Sequence, residues 1–242
     1  MASVTDHYQN HLAPVYVWMA GGLDAAIARG AGEIDALLPH LSAGSSAVDV
    51  GAGFGMHSIP LARRGCAVVA LDTSSLLLEQ LARASVGLPI HAVLDDGLAF
   101  PKYLTSSPDA ILCMGDTLTH LPDTDAVKTL ASLAATSLRA GGTFVASFRD
   151  YSTAAAGTAR FVSVRSDAER LLTCFLEYQA DTVDVHDLLH ERRDAAWQLR
   201  VSVYRKLRLS PAWVGEVLEE NGFAVRLVPG LGGLVRVIAL KL

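Results

Sequence analysis

The chain predicts an α/β fold: a doubly wound, mainly parallel seven-stranded sheet whose last strand runs antiparallel. Three observations predict it. From residue 45 short β-branched runs alternate with helix-like segments. A glycine-rich break follows the first of those runs, and two apolar runs separated by a glycine-rich turn at 230–233 close the chain. Repeated β-α alternation implies a parallel sheet covered on both faces, and a closing hairpin gives it an antiparallel edge. The 242 residues suit one Rossmann-like domain with an elaboration. With 51% hydrophobic and 19% charged residues, the chain can bury a core.

Residues 1–40 read as helical and aromatic. Tyr8, Tyr16, Trp18 and Met19 precede a Gly21-Gly22 break, and Ile27, Ile34, Leu37 and Leu38 then follow helical spacing up to Pro39. This segment is expected to form a helical lid, some aromatics packing and one tyrosine facing the site. Strands at 47–50, 66–71, 90–94, 110–114 and 143–148 alternate with helices at 56–64, 74–84 and 123–138. The last of these helices is stopped by Gly141-Gly142.

After Tyr151 the rhythm changes. Residues 152–209 read as an antiparallel insertion of about three strands, a substrate cap or a homodimer contact within a single domain spanning 1–242. In its final strand Trp197, Leu199, Val201 and Val203 form the apolar phase, which Arg205 continues. Gln198, Arg200, Ser202 and Tyr204 occupy the other phase. A helix at 211–221, capped by Gly222, and strands at 223–228 and 234–240 complete the sheet.

Composition removes several classes. A formal charge of −5 offers no general attraction to nucleic acid, and the basic residues at 192–193 and 200–208 are local. Cys66, Cys113 and Cys174 are odd in number, and no C-x-x-C occurs, so neither a disulfide framework nor a zinc site is indicated. The apolar stretch 12–28 is interrupted by Pro14, Gly21, Gly22 and Asp24, which argues against a membrane span. No basic region followed by an apolar core opens the chain. The expected setting is cytoplasmic.

Ligands of open α/β sheets bind beyond the carboxyl ends of the strands. The first end supplies Asp49 and the turn Gly51-Ala52-Gly53-Phe54-Gly55. A turn of this kind lets backbone N–H groups approach a nucleotide-like ligand. Its G-x-G-x-G spacing, with Met56 next, differs from the G-x-G-x-x-G of dinucleotide binders and points toward S-adenosylmethionine. Asp49, costly in a buried strand, is expected to accept from the turn or from an ammonium group.

The second end carries Asp72 and Thr73. Asp72 can accept two ribose hydroxyls or serve only the next helix's N-terminal region. The third end, Asp95-Asp96-Gly97, either receives an adenine amine or is a surface turn. The fourth runs Cys113-Met114-Gly115-Asp116-Thr117-Leu118-Thr119-His120-Leu121, and the fifth ends Ser147-Phe148-Arg149-Asp150-Tyr151. Polar side chains at five successive strand ends form a converging set.

On these residues the chain resembles a class I S-adenosylmethionine-dependent methyltransferase, from about residue 40 to 150 and again over the last thirty residues. V-D-V-G-A-G-F-G is similar to that family's first motif and A-L-D-T-S to its acidic second-strand motif. C-M-G-D-T-L-T-H-L with F-R-D-Y resembles the glycine N-methyltransferase-like small-molecule branch, which the insertion also fits. The resemblance implies that Gly51, Ala52 and Gly53 line the methionine portion of the donor, Asp72 its ribose, Asp95 or Asp96 its adenine, and Met114 its methionine end. S-adenosyl-L-homocysteine would be the product.

Methyl transfer from a sulfonium needs positioning and exclusion of water, and no metal. A neutral amine acceptor needs no base, whereas a hydroxyl is helped by one. His120 is the candidate base, or a packing histidine, with Asp116 as its orienter or as a ligand for a substrate amine. Arg149 and Tyr151 are placed to meet a substrate. Arg205, if inward, could bind a substrate carboxylate; a bulge or an ion pair is the alternative. Tyr8, Tyr16 and Trp18 could close over donor and acceptor. His186 and His190, with Asp184 and Glu191, have a spacing that could suit a metal but no third ligand pattern, so they read, like His7 and His11, as a solvated polar face, and His57 as support for the turn. The expected function is methylation of a small-molecule nitrogen or oxygen, against a non-catalytic binding protein or an NAD(P)-dependent oxidoreductase.

Overall fold

The computed structural model describes residues 4–194 and 196–242. Seven strands form the main sheet: β1 (Ser46–Val50), β2 (Ala67–Asp72), β3 (Ile90–Leu94), β4 (Ala110–Cys113), β5 (Thr143–Arg149), β10 (Phe223–Pro229) and β11 (Leu234–Lys241), in the order β10-β11-β5-β4-β1-β2-β3. The pairs β1–β2, β2–β3, β1–β4 and β4–β5 are parallel, while β11 runs antiparallel to both β5 and β10. The order reverses at β1 and β4, the switch point where such sheets hold ligands.

Helices cover both faces. On one, α3 (Leu23–Leu37), α4 (Ser58–Arg63) and α5 (Ser75–Ala84) bury Ile34, Leu61 and Leu81 against Ala70 and Leu112. On the other, α6 (Thr124–Ser137) and α7 (Pro211–Glu220) bury Leu130 and Leu218 against Ile111 and Phe144. Side-chain caps start three of these helices: Ser74 accepts from Leu77 N–H, Asp123 from Ala126 N–H and Ser210 from Trp213 N–H. No helix among the described residues is long and apolar enough to cross a membrane.

The insertion has four strands, not about three: β6 (Phe161–Ser166), β7 (Arg170–Tyr178), β8 (Thr182–Arg193) and β9 (Ala196–Leu207), an antiparallel meander. A register shift between Ser163 and Arg165 breaks the alternation of β6, which hides that strand from a period-two reading. The inward phase of β9 is also the reverse of the expected one. Trp197, Leu199 and Val201 are exposed, while Tyr204 and Lys206 are buried. Burial under the N-terminal segment, rather than apolarity, decides which face turns inward.

That segment comprises α1 (Val4–His7), a wide π-helical turn (Tyr8–Leu12) and α2 (Ala13–Met19). It packs on the insertion through Leu12, Val15, Leu172 and Leu189. Helix α3, part of the expected lid, belongs instead to a covering layer of the main sheet. His7 and His11 are buried at 1% and 6% exposure, so they do not form a solvated face.

Candidate functional site

Two cavities open at the carboxyl ends of the parallel strands. The first, about 170 Å³, is lined by Gly51, Gly53, Asp72, Thr73, Asp95, Asp96 and Thr117, with Tyr8, Tyr16 and His120 on its inner side. Gly51 has φ +74, and a Cβ on it would lie 2.5 Å from Thr117 side-chain atoms. Only glycine suits both the conformation and the contact. Behind the turn, α3 comes so close that a Cβ on Gly30 would meet the Met56 carbonyl oxygen at 1.9 Å. The turn is therefore clamped from two sides.

Asp72 ends β2 with its carboxylate between two backbone donors. Oδ2 accepts Gly53 N–H and Oδ1 accepts Ser74 N–H, each at 2.8 Å. Burial pushes its carboxyl up despite those bonds. Each oxygen retains a lone pair for a further donor, as a diol requires. Asp95 is engaged at both oxygens, by Asp96 N–H at 2.8 Å and Tyr103 O–H at 2.7 Å. Asp96 caps Leu98 N–H through Oδ1 at 2.7 Å.

Three of the expected donor residues lie outside this cavity. Asp49, 1% exposed, sits beneath the turn and accepts Ser58 O–H at 2.6 Å. Ala52 and Met114 belong to the core layer under α3 and α4. A buried β1 residue can reach only what lies below the turn. Asp49 thus supports the cradle from α4.

The second cavity, about 310 Å³, lies between the main sheet and the insertion. Tyr8, Tyr16, Asp116, Arg149, Tyr151, Cys174, Asp187, Tyr204 and Lys206 line it, with Leu172, Leu176 and Val185 as apolar wall. Tyr8 and Tyr16 line both cavities. They mark the junction.

Asp116 organises the second cavity. Its φ of +80 puts a non-glycine residue in the left-handed region, a strained conformation held by its contacts. Oδ1 accepts Arg149 N–H at 2.9 Å and Thr119 O–H at 3.1 Å, and Oδ2 accepts Lys206 Nζ at 2.5 Å. Burial alone would raise the Asp116 carboxyl, but Lys206 and these bonds hold it below its ordinary value. Burial likewise opposes the Lys206 charge, and Asp116 more than offsets it, raising the lysine.

Asp116 does not orient His120. The partner of His120 is Tyr8, whose hydroxyl lies 3.2 Å from Nε2, while Nδ1 is buried without a partner among the described residues. Burial and then Lys206 lower His120 to about 3, so the imidazole is neutral at ordinary pH.

Tyr204 is sandwiched between His7 (ring centroids 3.9 Å apart) and His120 (5.6 Å). His7 Nδ1 pairs with Ser202 Oγ at 2.8 Å. Its Nε2 sits 3.0 Å from Asp187 Oδ2, close but misaligned for a hydrogen bond. Gln9 reaches across to Ser74 and Ser75, tying the segment to the rim of the first cavity.

Arg205 does not face either cavity. It is exposed and forks onto Asp184 on the outer face, at 2.7 and 3.1 Å. Trp18 is likewise peripheral, donating to Asp167 at 2.5 Å. Sequence reasoning missed His7, Asp187 and Lys206. Lys206 shares its strand phase with Tyr204, so the correct inward phase would have revealed it.

Residues 47–142, which hold the glycine turn, Asp72, Asp116 and His120, match the family model for a methyltransferase domain. That stretch carries a methyltransferase domain, and the whole chain has the Rossmann-like methyltransferase fold. It is similar in structure to the CcbJ methyltransferase from Streptomyces caelestis, at 18% identity over 100% of both chains with a TM-score of 0.79. It is also similar to an S-adenosylmethionine-dependent methyltransferase from Clostridium acetobutylicum (14% identity, 96% of this chain and 98% of that one, TM-score 0.73). A third likeness is to CalS10, an amino pentose methyltransferase from Micromonospora echinaspora (19% identity, 95% and 96%, TM-score 0.70). No curated protein matches the chain by sequence.

Proposed function

We propose that the chain transfers a methyl group from S-adenosylmethionine to a nitrogen of a small molecule. The observation that carries the reading is the pair of cavities meeting at Tyr8 and Tyr16, one with the glycine turn and Asp72, the other with an organised polar floor. The first cavity suits the donor. Its narrow turn admits a ligand against backbone, Asp72 has lone pairs for a ribose diol, and Asp96 retains Oδ2 for an adenine amine. When bound there, S-adenosylmethionine supplies an activated methyl on a sulfonium.

The chain's own part is placement. Tyr8 and Tyr16 stand where the two cavities meet, and transfer there would rely on the segment carrying them to hold donor and acceptor in line. His120 fixes the Tyr8 hydroxyl. At a pKa of about 3, His120 is too weak a base to deprotonate a hydroxyl at neutral pH. An amine that arrives neutral needs no such base, which favours nitrogen over oxygen. CalS10 and the glycopeptide N-methyltransferase MtfA, both similar in fold, are compatible with a small-molecule or N-acceptor. Soluble metabolites, rather than nucleic acid, fit a 310 Å³ cavity.

Calorimetry with S-adenosylmethionine, S-adenosylhomocysteine and NADH tests the donor. Binding of the first two is expected; tight NADH binding without either would overturn the reading. Release of S-adenosylhomocysteine over an amine panel then separates an enzyme from a protein that only binds the donor.

A further inference from the structure

The floor of the second cavity holds more hydrogen-bond donors than the chain uses. An ammonium has three N–H groups. Lys206 gives one to Asp116, and the rings of Tyr151 and Tyr204 lie 5.8 and 5.5 Å from Nζ. Arg149 pairs with no carboxylate among the described residues, and its guanidinium donates to the Gly232 carbonyl at 3.2 Å. Asp116 ties the two bases together. One oxygen accepts the Arg149 backbone N–H and the other accepts Lys206 Nζ, so the backbone of one base and the ammonium of the other meet at one carboxylate, and both side chains line one cavity.

The other anion of the cavity, Asp187, is occupied elsewhere. It accepts the Cys174 thiol at 2.8 Å and lies against His7. The formal charges of Asp116, Asp187, Arg149 and Lys206 cancel, so the attraction for an anion is local to the two bases. A monoanion suits that balance better than a phosphate dianion. A guanidinium and an ammonium lining one cavity, both with free donors, suit a carboxylate. Leu172, Leu176 and Val185 give the same cavity an apolar wall.

We propose that the methyl acceptor is a carboxylate-bearing amine with a compact apolar body. Arg149 and Lys206 take the carboxylate, the apolar wall takes the body, and the nitrogen is left at the Tyr8–Tyr16 junction. This rests on the donor and acceptor assignment above and adds the acceptor's chemical class.

The test compares benzoate with its neutral isostere benzamide by calorimetry, with and without S-adenosylhomocysteine. Benzoate is expected to bind about tenfold more tightly, the scale of a charge-assisted hydrogen bond. Arg149→Gln should abolish that preference and Arg149→Lys should restore part of it. The double variant D116N/K206M, which keeps the shape of the buried pair without its charge, should also reduce it, with folding checked by circular dichroism. Equal binding of the two probes, or a preference that survives Arg149→Gln, overturns the proposal. Binding of S-adenosylhomocysteine is read separately. Its absence counts against the donor assignment, whereas its presence without a benzoate preference counts against the carboxylate alone.

Discussion

The two cavities are built from different materials. The proposed donor cavity has its outer wall in the backbone of a glycine turn and in side chains at the ends of β1, β2 and β3, which lie side by side in the main sheet, and only its inner side comes from Tyr8, Tyr16 and the segment after β4. The proposed acceptor cavity draws its side chains from the N-terminal segment, the ends of β4 and β5, and the meander of the insertion. Neighbouring strand ends hold their geometry through the ladder of the sheet. Segments far apart in sequence hold theirs through side-chain contacts, here the Asp116–Lys206 pair and the stack of His7, Tyr204 and His120. The first arrangement suits a ligand common to a fold. The second can change with the acceptor.

The largest effect expected on this contrast comes from Lys206→Met. It strands a buried carboxylate and should cost about 3–5 kcal/mol of stability, while D116N/K206M recovers most of that loss. Denaturant titration of the three proteins checks this, and equal stability of single and double variants would deny the pair its role. Asp72→Ala should weaken S-adenosylmethionine binding roughly 10- to 100-fold by calorimetry, leaving the acceptor cavity intact. Unchanged affinity would remove Asp72 from the donor site.

Tyr8→Phe keeps the ring at the junction and removes its hydroxyl. A fall in kcat of about tenfold, with donor affinity held, is expected for one lost hydrogen bond; an unchanged kcat would leave Tyr8 as packing alone.

The pH response follows from signs. Asp116 is lowered, so its contribution to stability is complete above the ordinary carboxylate range and is lost as pH falls through its lowered pKa. Lys206 is raised, so its contribution is complete below the ordinary lysine range and is lost as pH rises through its raised pKa. The stability difference between the chain and D116N/K206M should therefore be flat between about pH 5 and 9 and shrink outside that window. Smallest in its effect on turnover, Arg205→Ala leaves the buried Asp184 carboxylate without its half-exposed partner and should cost about 1–3 kcal/mol of stability without altering turnover. A large loss of turnover would return Arg205 to the site.

Much of the donor cavity was legible in the chain, because its parts are local. Gly51, Gly53, Asp72, Thr73, Asp95 and Asp96 follow directly on their strands, and strand ends point where topology says they must. Asp49 and Met114 were placed in the cavity although they lie in the layers beneath it. Linear proximity to a turn does not say which side of the sheet a residue faces. The acceptor cavity was half legible. Asp116, Arg149, Tyr151 and Tyr8 were singled out, but the role of Asp116 was not, since its partner Lys206 lies ninety positions away.

By itself the sequence determined the parallel order of strands and helices and the cradle of the first turn, because β-α alternation and glycine spacing act over a few residues. Tertiary structure decided the inward face of β9. There an apolar row of Trp197, Leu199 and Val201 was left outside, and Tyr204 and Lys206 were turned in under α1 and the π-helical turn. Period-two alternation fixes two faces of a strand but not which one is covered. That choice belongs to whatever packs on top, and here it brings a lysine to the carboxylate of Asp116.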